Sequence, residues 1–163
     1  MREDGLVIRE IKQTEYGLLD DFLYEAIFIP EGVSPPCRSI INKPELQVYV
    51  ENFGQYKDDR CLVAEMDGKV VGAVWTRIMN DYGHVDAQTP SLAISLYREY
   101  RRCGIGTELM KQILLRLKED GYEKVSLSVQ KANYAVKLYV KTGFEIVEEN
   151  DEEYIMVKRL ENL

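Results

Sequence analysis

The sequence predicts one α/β domain built on a mixed sheet, and three observations lead to this prediction. Strand-like segments alternate with helical ones along the whole chain. The pair Asp67-Gly68, between two apolar runs, predicts a tight hairpin. A helical stripe separates the strand-like residues 91–96 from 124–129, and such a crossover makes the two strands parallel. The chain has 163 residues, and the simplest interpretation of that length is a single domain over residues 1–163.

The first half of the chain is predicted to hold a strand, two helices and a hairpin. Thr14 is a suitable N-cap for a helix whose apolar residues recur at helical spacing, and prolines within 30–36 end that helix. Pro44 suits the first turn of a second helix. The predicted order is a strand over 6–11, a helix up to 27, a second helix from 42, strands over 60–66 and 69–78, and a polar loop over 80–90.

The second half is predicted to alternate strands and helices and to end in a hairpin. The helix over 107–120 has a continuous apolar stripe, and Gly121 fits the position just after its end. Residues 124–129 alternate cleanly, as a strand with one buried face does. A further helix runs from Asn133 to Gly143, and strands over 144–149 and 153–158 follow.

Composition limits the classes of function. A net charge of −7 argues against a nucleic-acid binder that uses the whole surface, and it suits either a cationic amine partner or simple solubility. Three cysteines, without C-x-x-C spacing, fit reduced thiols better than a disulfide or metal framework. With no secretory signal and no apolar run of about 20 residues, a cytoplasmic protein without a membrane partner is expected.

The junction between residues 91–96 and the helix after them carries the functional signal. It reads Arg101-Arg102-Cys103-Gly104-Ile105-Gly106, with two glycines where the backbone must turn sharply and approach a ligand. First-turn N–H groups of a helix lack internal partners and lie at the positive end of its dipole, so they suit a phosphate. Arginines at 98, 101 and 102 crowd this approach against one glutamate, Glu99.

Two common phosphate-binding templates do not fit this junction. A Walker A loop needs a lysine after its last glycine, whereas Gly106 is followed by Thr107 and Glu108. A dinucleotide fingerprint needs a third glycine, where Leu109 stands, and it normally follows the first strand of its fold. The template that remains is Arg/Gln-x-x-Gly-x-Gly/Ala.

In its context, this template resembles the pyrophosphate loop of the GCN5-related N-acetyltransferase (GNAT) superfamily. The run 94–109 is similar to the family's fourth strand and loop, Tyr139-Val-Lys-Thr-Gly-Phe144 to the end of its fourth helix, and Asp67-Gly-Lys-Val-Val-Gly72 to its second hairpin. The resemblance implies the GNAT (acyl-CoA N-acyltransferase) fold, a mixed, mostly antiparallel sheet with a central parallel pair and helices on both faces. Arg98 departs from the pattern, because the family often has proline there.

The resemblance also implies acetyl-CoA, or another acyl-CoA, as the donor, and no metal. Backbone N–H groups would bind the diphosphate, and the exposed edge of the 91–96 strand would pair with the pantetheine arm where the neighbouring strand splays away. The alternative is a glycine-containing helix start that binds nothing. Asn133, one place after the family's frequent asparagine, is expected to cap a helix or to contact the cofactor. The cofactor-binding set is Ile94, Ser95, Leu96, Arg101, Arg102, Cys103, Gly104, Ile105, Gly106, Thr107 and Asn133.

Tyr139 is the expected catalytic acid. Transfer to an amine forms a tetrahedral intermediate whose collapse expels the CoA thiolate, and a phenol with an ordinary pKa of about 10 can protonate that sulfur. The family commonly uses this tyrosine in that way. The alternative is that Tyr139 merely packs in its helix, between Leu138 and Val140.

The general base is expected upstream of the 91–96 strand. In many relatives a carboxylate stands where this chain has Ser91, so Asp86 is the nearest candidate. Asp81, Glu65 and the single histidine, His84, are the others, and each of them also fits a solvated loop or strand face.

Acceptor recognition is expected from the loop after the first helix, the 80–90 loop and the terminal hairpin. Phe28, Trp75 and Tyr82 are candidates for an apolar wall, with Pro30 beside them. Arg38 is a candidate for binding a substrate carboxylate. A core aromatic and a surface arginine are the alternative interpretations.

Together these patterns predict an N-acetyltransferase that moves an acetyl group from acetyl-CoA to a primary amine by direct transfer in a ternary complex. The acceptor would be an amine-bearing small molecule or a peptide, and a homodimer is consistent with the superfamily. The rival interpretations are a non-catalytic acyl-CoA sensor or a regulatory protein on the same fold, and transfer to a hydroxyl or of a longer acyl chain.

Overall fold

The computed structural model describes residues 5–79, 83–161 and 163. In chain order its elements are β1 (Leu6–Glu10), α1 (Leu18–Glu25), α2 (Pro44–Gln47), β2 (Arg60–Met66), β3 (Lys69–Arg77), β4 (Ser91–Leu96), α3 (Ile105–Glu119), β5 (Lys124–Gln130), α4 (Val136–Thr142), β6 (Glu145–Glu149) and β7 (Glu153–Arg159). Single 3-10 turns cover Gln13–Glu15, Arg38–Asn42 and Arg98–Tyr100.

The strands form one seven-stranded sheet in the order β1-β2-β3-β4-β5-β7-β6. The neighbours β4 and β5 are parallel, and the other neighbouring pairs are antiparallel. This is the mixed sheet with a central parallel pair that the sequence predicts. The hairpin at Asp67-Gly68 is confirmed as well, since both residues have positive φ angles, +51° and +84°, as a tight hairpin turn requires.

Helices cover the sheet on both faces, and each layer has its own apolar core. On one face α3 and α4 pack against the sheet, and Leu109 and Tyr139 belong to that core. On the other face α1 and the segment around α2 pack against β2, β3 and β4, and Phe22 and Trp75 belong to this second core. The central strands therefore contribute side chains to both cores in alternation.

Helix α3 is held by the predicted apolar stripe. Burying each large apolar side chain contributes about 1.5–3 kcal/mol relative to leaving it in water, so the stripe fixes the helix firmly on the sheet. Gly121 follows the helix with a φ of +93°, which favours glycine and confirms the predicted stop. The buried members of the stripe are Ile105, Leu109, Met110, Ile113, Leu114 and Leu117.

All four helix starts differ from the prediction. Helix α2 begins at Pro44 instead of residue 42, and α3 begins at Ile105 instead of residue 107. The starts of α1 and α4 differ because side chains bond to the backbone locally. The Glu15 carboxylate accepts a hydrogen bond from the Lys12 main-chain N–H, so a separate 3-10 turn forms and α1 begins only at Leu18. The Asn133 side-chain oxygen accepts a hydrogen bond from the Ala135 N–H at 2.9 Å. That bond holds a turn ahead of α4, which begins three residues later than expected.

No helix in the described part of the chain has the length and apolar character needed to cross a membrane. In the same residues no group of three or more histidine, cysteine or acidic side chains is arranged to hold a metal ion.

Candidate active site

The central parallel strands separate soon after they meet. They pair in register at Ser91 and Ser126, and the Ser126 N–H donates to the Pro90 carbonyl at 3.0 Å. Beyond that point β4 and β5 continue without a further register pair among the described residues. The facing edges of the carboxyl-terminal halves of β4 and β5 thus have no register pair among the described residues, and we call the region between them the opening. The resemblance implies such a separation of the two strands.

The backbone of β4 presents alternate residues to this opening. The Tyr97 N–H donates to the Val71 carbonyl on β3, so the residues in phase with Tyr97, including Ser95, direct their main-chain groups towards β3. Ile94 and Leu96 direct theirs towards the opening. The Ser95 hydroxyl donates to the Phe22 carbonyl on α1 at 2.6 Å. Ser95 therefore faces away from the opening, which corrects its inclusion in the cofactor-binding set.

The turn after β4 leaves a row of main-chain donors without partners. Arg102 and Gly104 both have positive φ angles, +62° and +84°, and this alternation curls the backbone before α3 begins. The first hydrogen bond of the helix is from the Glu108 N–H to the Gly104 carbonyl. Among the described residues, none accepts a hydrogen bond from the N–H groups of residues 102–107, which we call the amide loop. Such a row is an anion-binding arrangement.

Two glycines, Gly72 and Gly106, leave room for the Leu96 side chain beside the amide loop. A Cβ at Gly72 would lie 2.1 Å from Leu96 Cδ2, so only glycine lets Leu96 lie flat across β3. A Cβ at Gly106 would meet Leu96 Cδ1 at 3.7 Å and Leu138 Cδ2 at 4.0 Å. The start of α3 therefore lies between the end of β4 and helix α4.

The Arg101 side chain donates hydrogen bonds to main-chain carbonyls of the protein itself. Its Nε donates to the Leu96 carbonyl at 3.0 Å, and its Nη2 donates to the Glu25 carbonyl at the end of α1, also at 3.0 Å. The resemblance implies a contact between this side chain and the cofactor. The structure instead gives it the role of tying the amide loop to β4 and α1, and Leu96 loses its free carbonyl, so Ile94 keeps both main-chain groups for the opening.

Tyr139 lies in α4, packed against Phe144 with ring centres 5.9 Å apart. It is 8% exposed. Burial raises the pKa of its hydroxyl to about 12, because an anion there would be poorly solvated. Tyr139 is therefore protonated at neutral pH, the form that an acid catalyst must have.

Asp86 lies at the other end of β4, about 20 Å of strand away from the amide loop. Its carboxylate accepts hydrogen bonds from the Thr89 hydroxyl at 2.7 Å and the Gln88 N–H at 2.9 Å, and Lys124 Nζ lies 3.3 Å away. These contacts, the Thr89 bond first, hold its pKa below the usual range. A remote carboxylate whose basicity is lowered is a poor base, which corrects the sequence-based choice of Asp86. It lines an open cavity of about 460 Å³ instead.

The other base candidates are no better placed. Glu65 is paired with Arg9 at 3.0 Å, and His84 is exposed on the same loop as Asp86. Asp81 lies outside the described residues.

Of the acceptor candidates, Trp75 is contradicted by the structure. Its side chain is fully buried in the core beneath α1, and its indole N–H donates to the Tyr49 carbonyl at 3.0 Å. No surface of it is left for a substrate. Tyr82 lies outside the described residues.

Arg38 and Phe28 remain accessible on the α1 face of the sheet. Arg38 forms an ion pair with Asp21 of α1, and the Tyr97 hydroxyl donates to the same carboxylate at 3.3 Å. These contacts bring the loop after α1 to the end of β4, next to the opening. Phe28 is half-buried in that loop.

Two residues that the sequence analysis did not select lie beside the amide loop. The Arg102 guanidinium stacks over the ring of Tyr134, with Cζ 4.9 Å from the ring centre, and Lys137 Nζ lies 5.1 Å from the same centre. The sequence carried a signal, because Tyr134 and Lys137 are three residues apart in a segment predicted as helical, where they would share one face. In the structure Tyr134 lies in the turn just before α4. Asn133, by contrast, uses its side-chain oxygen to cap the turn.

A mixed sheet that opens between two central parallel strands, with unpaired amides at the adjacent helix start, has the architecture of the acetyltransferases named by the sequence resemblance. The chain belongs to the acetyltransferase (GNAT) family, whose profile matches residues 28–144.

Curated relatives and solved structures agree with this membership. The chain is 36% identical over 108 residues to an N-alpha-acetyltransferase of Sulfurisphaera tokodaii, a match that covers 61% of this chain and 64% of that protein. It is 32% identical over 128 residues to an N-alpha-acetyltransferase of Saccharolobus solfataricus, covering 69% of this chain and 75% of that protein. The match to the first relative thus spans less than two thirds of its length.

Solved structures share the fold at low identity. The PaiA N-acetyltransferase of Thermoplasma acidophilum, crystallised in complex with coenzyme A, superposes with a TM-score of 0.70 at 20% identity, over 94% of this chain and 98% of that one. The ribosomal-protein-S18-alanine N-acetyltransferase of Escherichia coli gives 0.66 at 18% identity, over 97% and 98%.

Proposed function

We propose that this protein is an N-acetyltransferase that moves an acetyl group from acetyl-CoA to a primary amine by direct transfer in a ternary complex. The observation that carries the proposal is the amide loop, whose unpaired N–H groups lie at the head of α3 next to the opening between β4 and β5. The donor needs a site for a diphosphate and an extended edge for an amide-bearing arm, and these two features provide both.

The donor would enter from the α3 face. Its diphosphate would accept hydrogen bonds from residues 102–107, and its pantetheine arm would pair with the main-chain groups of Ile94 along the open edge of β4. The family membership and the coenzyme A complex of a protein with the same fold support this assignment.

The acceptor would enter from the α1 face, past the loop that carries Phe28 and Arg38. The name N-alpha-acetyltransferase, which the Sulfurisphaera and Saccharolobus relatives share, favours an α-amino group at the start of a peptide as the first acceptor class to test. Arg38 would attract a carboxylate of such a substrate, although Asp21 offsets part of its charge.

The chemistry would need one acid from the protein. The neutral amine attacks the thioester carbonyl, and the new N–C bond places negative charge on the carbonyl oxygen. Collapse of this intermediate breaks the C–S bond, and the thiolate takes a proton from the Tyr139 hydroxyl, which solvent then restores. The pKa of about 12 keeps that proton in place at neutral pH. The proton lost by the amine leaves through water.

The test is release of free CoA from acetyl-CoA, measured with a thiol reagent. The acceptors are peptides with a free α-amine, the same peptides acetylated at that amine but carrying an internal lysine, polyamines and aminoglycosides. Release that depends on one amine class supports the proposal and names the acceptor. Micromolar CoA binding without product from any acceptor would instead favour the sensor, and absence of CoA binding would remove the proposal altogether.

A further inference from the structure

An exposed cluster of two cations and one aromatic ring extends the amide loop. It consists of Arg102, Tyr134 and Lys137, and we call it the cation–tyrosine cluster. Both charged groups lie about 5 Å from the centre of the same ring, at 4.9 Å and 5.1 Å, and Tyr134 is 63% exposed. The neutral ring of Tyr134 thus holds both charged groups at the surface.

Neither cation of the cluster has an anionic partner. In residues 5–79, 83–161 and 163, no carboxylate forms an ion pair with Arg102 or Lys137, although the chain carries an excess of seven negative charges. Their separation cannot exceed about 10 Å, roughly one Debye length at 0.1 M salt, so the two charges repel each other. An anion within reach of both charges would stabilise such an arrangement.

The cluster is continuous with the amide loop. Arg102 is itself part of that loop, and Leu138, the residue after Lys137, lies 4.0 Å from the Cβ position of Gly106 at the start of α3. Unpaired amides and unpaired cations therefore lie side by side. Coenzyme A carries two phosphorylated positions that are separated by a single ribose, namely the diphosphate and the ribose 3′-phosphate.

We propose that the cation–tyrosine cluster binds the 3′-phosphate of coenzyme A and makes the protein select CoA over 3′-dephospho-CoA. This inference rests on the proposed function, because it assumes that the amide loop holds the diphosphate. Arg102 and Lys137 donate charge-assisted hydrogen bonds to the phosphate. The Tyr134 ring holds both cations in place before the ligand arrives, which reduces the ordering cost of binding.

The test is titration calorimetry with CoA and with 3′-dephospho-CoA. We expect the wild-type protein to bind CoA about tenfold more tightly, the effect of two partly exposed ion pairs, and the preference to shrink as salt is added. The double variant Arg102→Gln/Lys137→Gln should lose this preference, because its affinity for CoA should fall about tenfold more than its affinity for 3′-dephospho-CoA. The matched control is Lys111→Gln/Lys118→Gln, which removes the same charge from exposed positions of α3 and should keep the preference.

Two further variants distinguish the contribution of the Tyr134 ring from that of its hydroxyl. Tyr134→Phe keeps the aromatic face and should keep the preference for CoA, whereas Tyr134→Leu should reduce it. Equal wild-type affinity for the two ligands would overturn this inference and leave the proposed function standing. Equal weakening of both ligands in the double variant would also overturn it. Failure of the wild type to bind either ligand would overturn both proposals.

Discussion

At the scale of single residues, the surroundings of two titratable groups determine what each can do. Burial raises the pKa of Tyr139 to about 12 and keeps it a proton donor. Hydrogen bonds from Thr89 and Gln88 and the nearby Lys124 lower the pKa of Asp86 and weaken it as a base. Tyr139 was predicted from its place in the motif that resembles the family, and Asp86 from its position upstream of β4. Only the structure shows how the neighbours of each group change its acidity.

Replacement of Tyr139 by phenylalanine tests the acid role. We expect Tyr139→Phe to lower kcat at least about tenfold, roughly 1.4 kcal/mol of barrier, because the departing thiolate loses its proton source. The dissociation constant for CoA should stay within about twofold, since the ring remains packed against Phe144. Steady-state kinetics and calorimetry measure the two quantities.

The control for this variant is Tyr122→Phe. Burial also raises the pKa of Tyr122 to about 12, but its hydroxyl bonds to Asp58 beside the cavity that Asp86 lines, far from the amide loop. Turnover should be unchanged in this control. An unchanged kcat in Tyr139→Phe would remove the acid assignment.

At the scale of elements, the end of β4 and the start of α3 form one binding unit. Gly104, with a φ of +84°, lets the chain turn, and Arg101 ties that turn to β4 and α1. The two glycines of this unit have different roles. Gly104 is needed for its backbone conformation, whereas Gly106 leaves space between Leu96 and Leu138.

Gly106→Ala should affect the free energy of unfolding and the affinity for CoA differently. Alanine favours a helix over glycine by roughly 0.5–1 kcal/mol, and its methyl would make ordinary contacts at 3.7 and 4.0 Å, so the free energy of unfolding should hold or rise. The template Arg/Gln-x-x-Gly-x-Gly/Ala accepts alanine at this position, so the affinity for CoA should stay within about twofold of that of the wild type. Urea denaturation and calorimetry check the two effects.

Gly17→Ala is the matched control, because Gly17 stands at the start of α1 with nothing within 4 Å of its Cβ position. CoA affinity should not change there. CoA binding about tenfold weaker in Gly106→Ala but unchanged in Gly17→Ala would instead mean that the donor needs the space left by glycine at position 106.

At the scale of the whole molecule, one buried ion pair joins the segment after α2 to the sheet. Arg77 donates to both carboxylate oxygens of Asp59 at 3.0 Å, and also to the carbonyls of Val48 and Glu51. The two side chains are only 3% and 1% exposed. These hydrogen bonds from Arg77 all cross from β3 to the segment between α2 and β2, so their loss should be felt beyond a single element.

Asp59→Asn should destabilise the protein by about 3–5 kcal/mol, because it leaves a buried guanidinium without its counter-charge. The comparison is Asp120→Asn, which breaks the more exposed pairs with Arg60 and Arg116 and should cost less than about 1 kcal/mol. Urea denaturation of the three proteins gives the ranking. Similar losses in the two variants would contradict the argument from burial.

The sequence by itself determined the features that depend on neighbouring residues along the chain. The hairpin at Asp67-Gly68, the apolar stripe of α3 and the glycine turn after β4 follow from turn chemistry, helical period and backbone freedom, which act over a few residues. Their order also predicted the parallel pair at the centre of the sheet. For that reason the fold and the amide loop were predictable without the structure.

Only the tertiary structure decided which distant groups meet. Trp75 was placed in the core by the face of β3 that it occupies, Arg101 was given to Leu96 and Glu25, and Tyr134 was brought to Arg102. Side-chain chemistry does not specify a partner, because a hydrogen bond or an ion pair needs a short distance between residues far apart in the chain. That distance is set by how the layers pack, and packing is a property of the whole molecule.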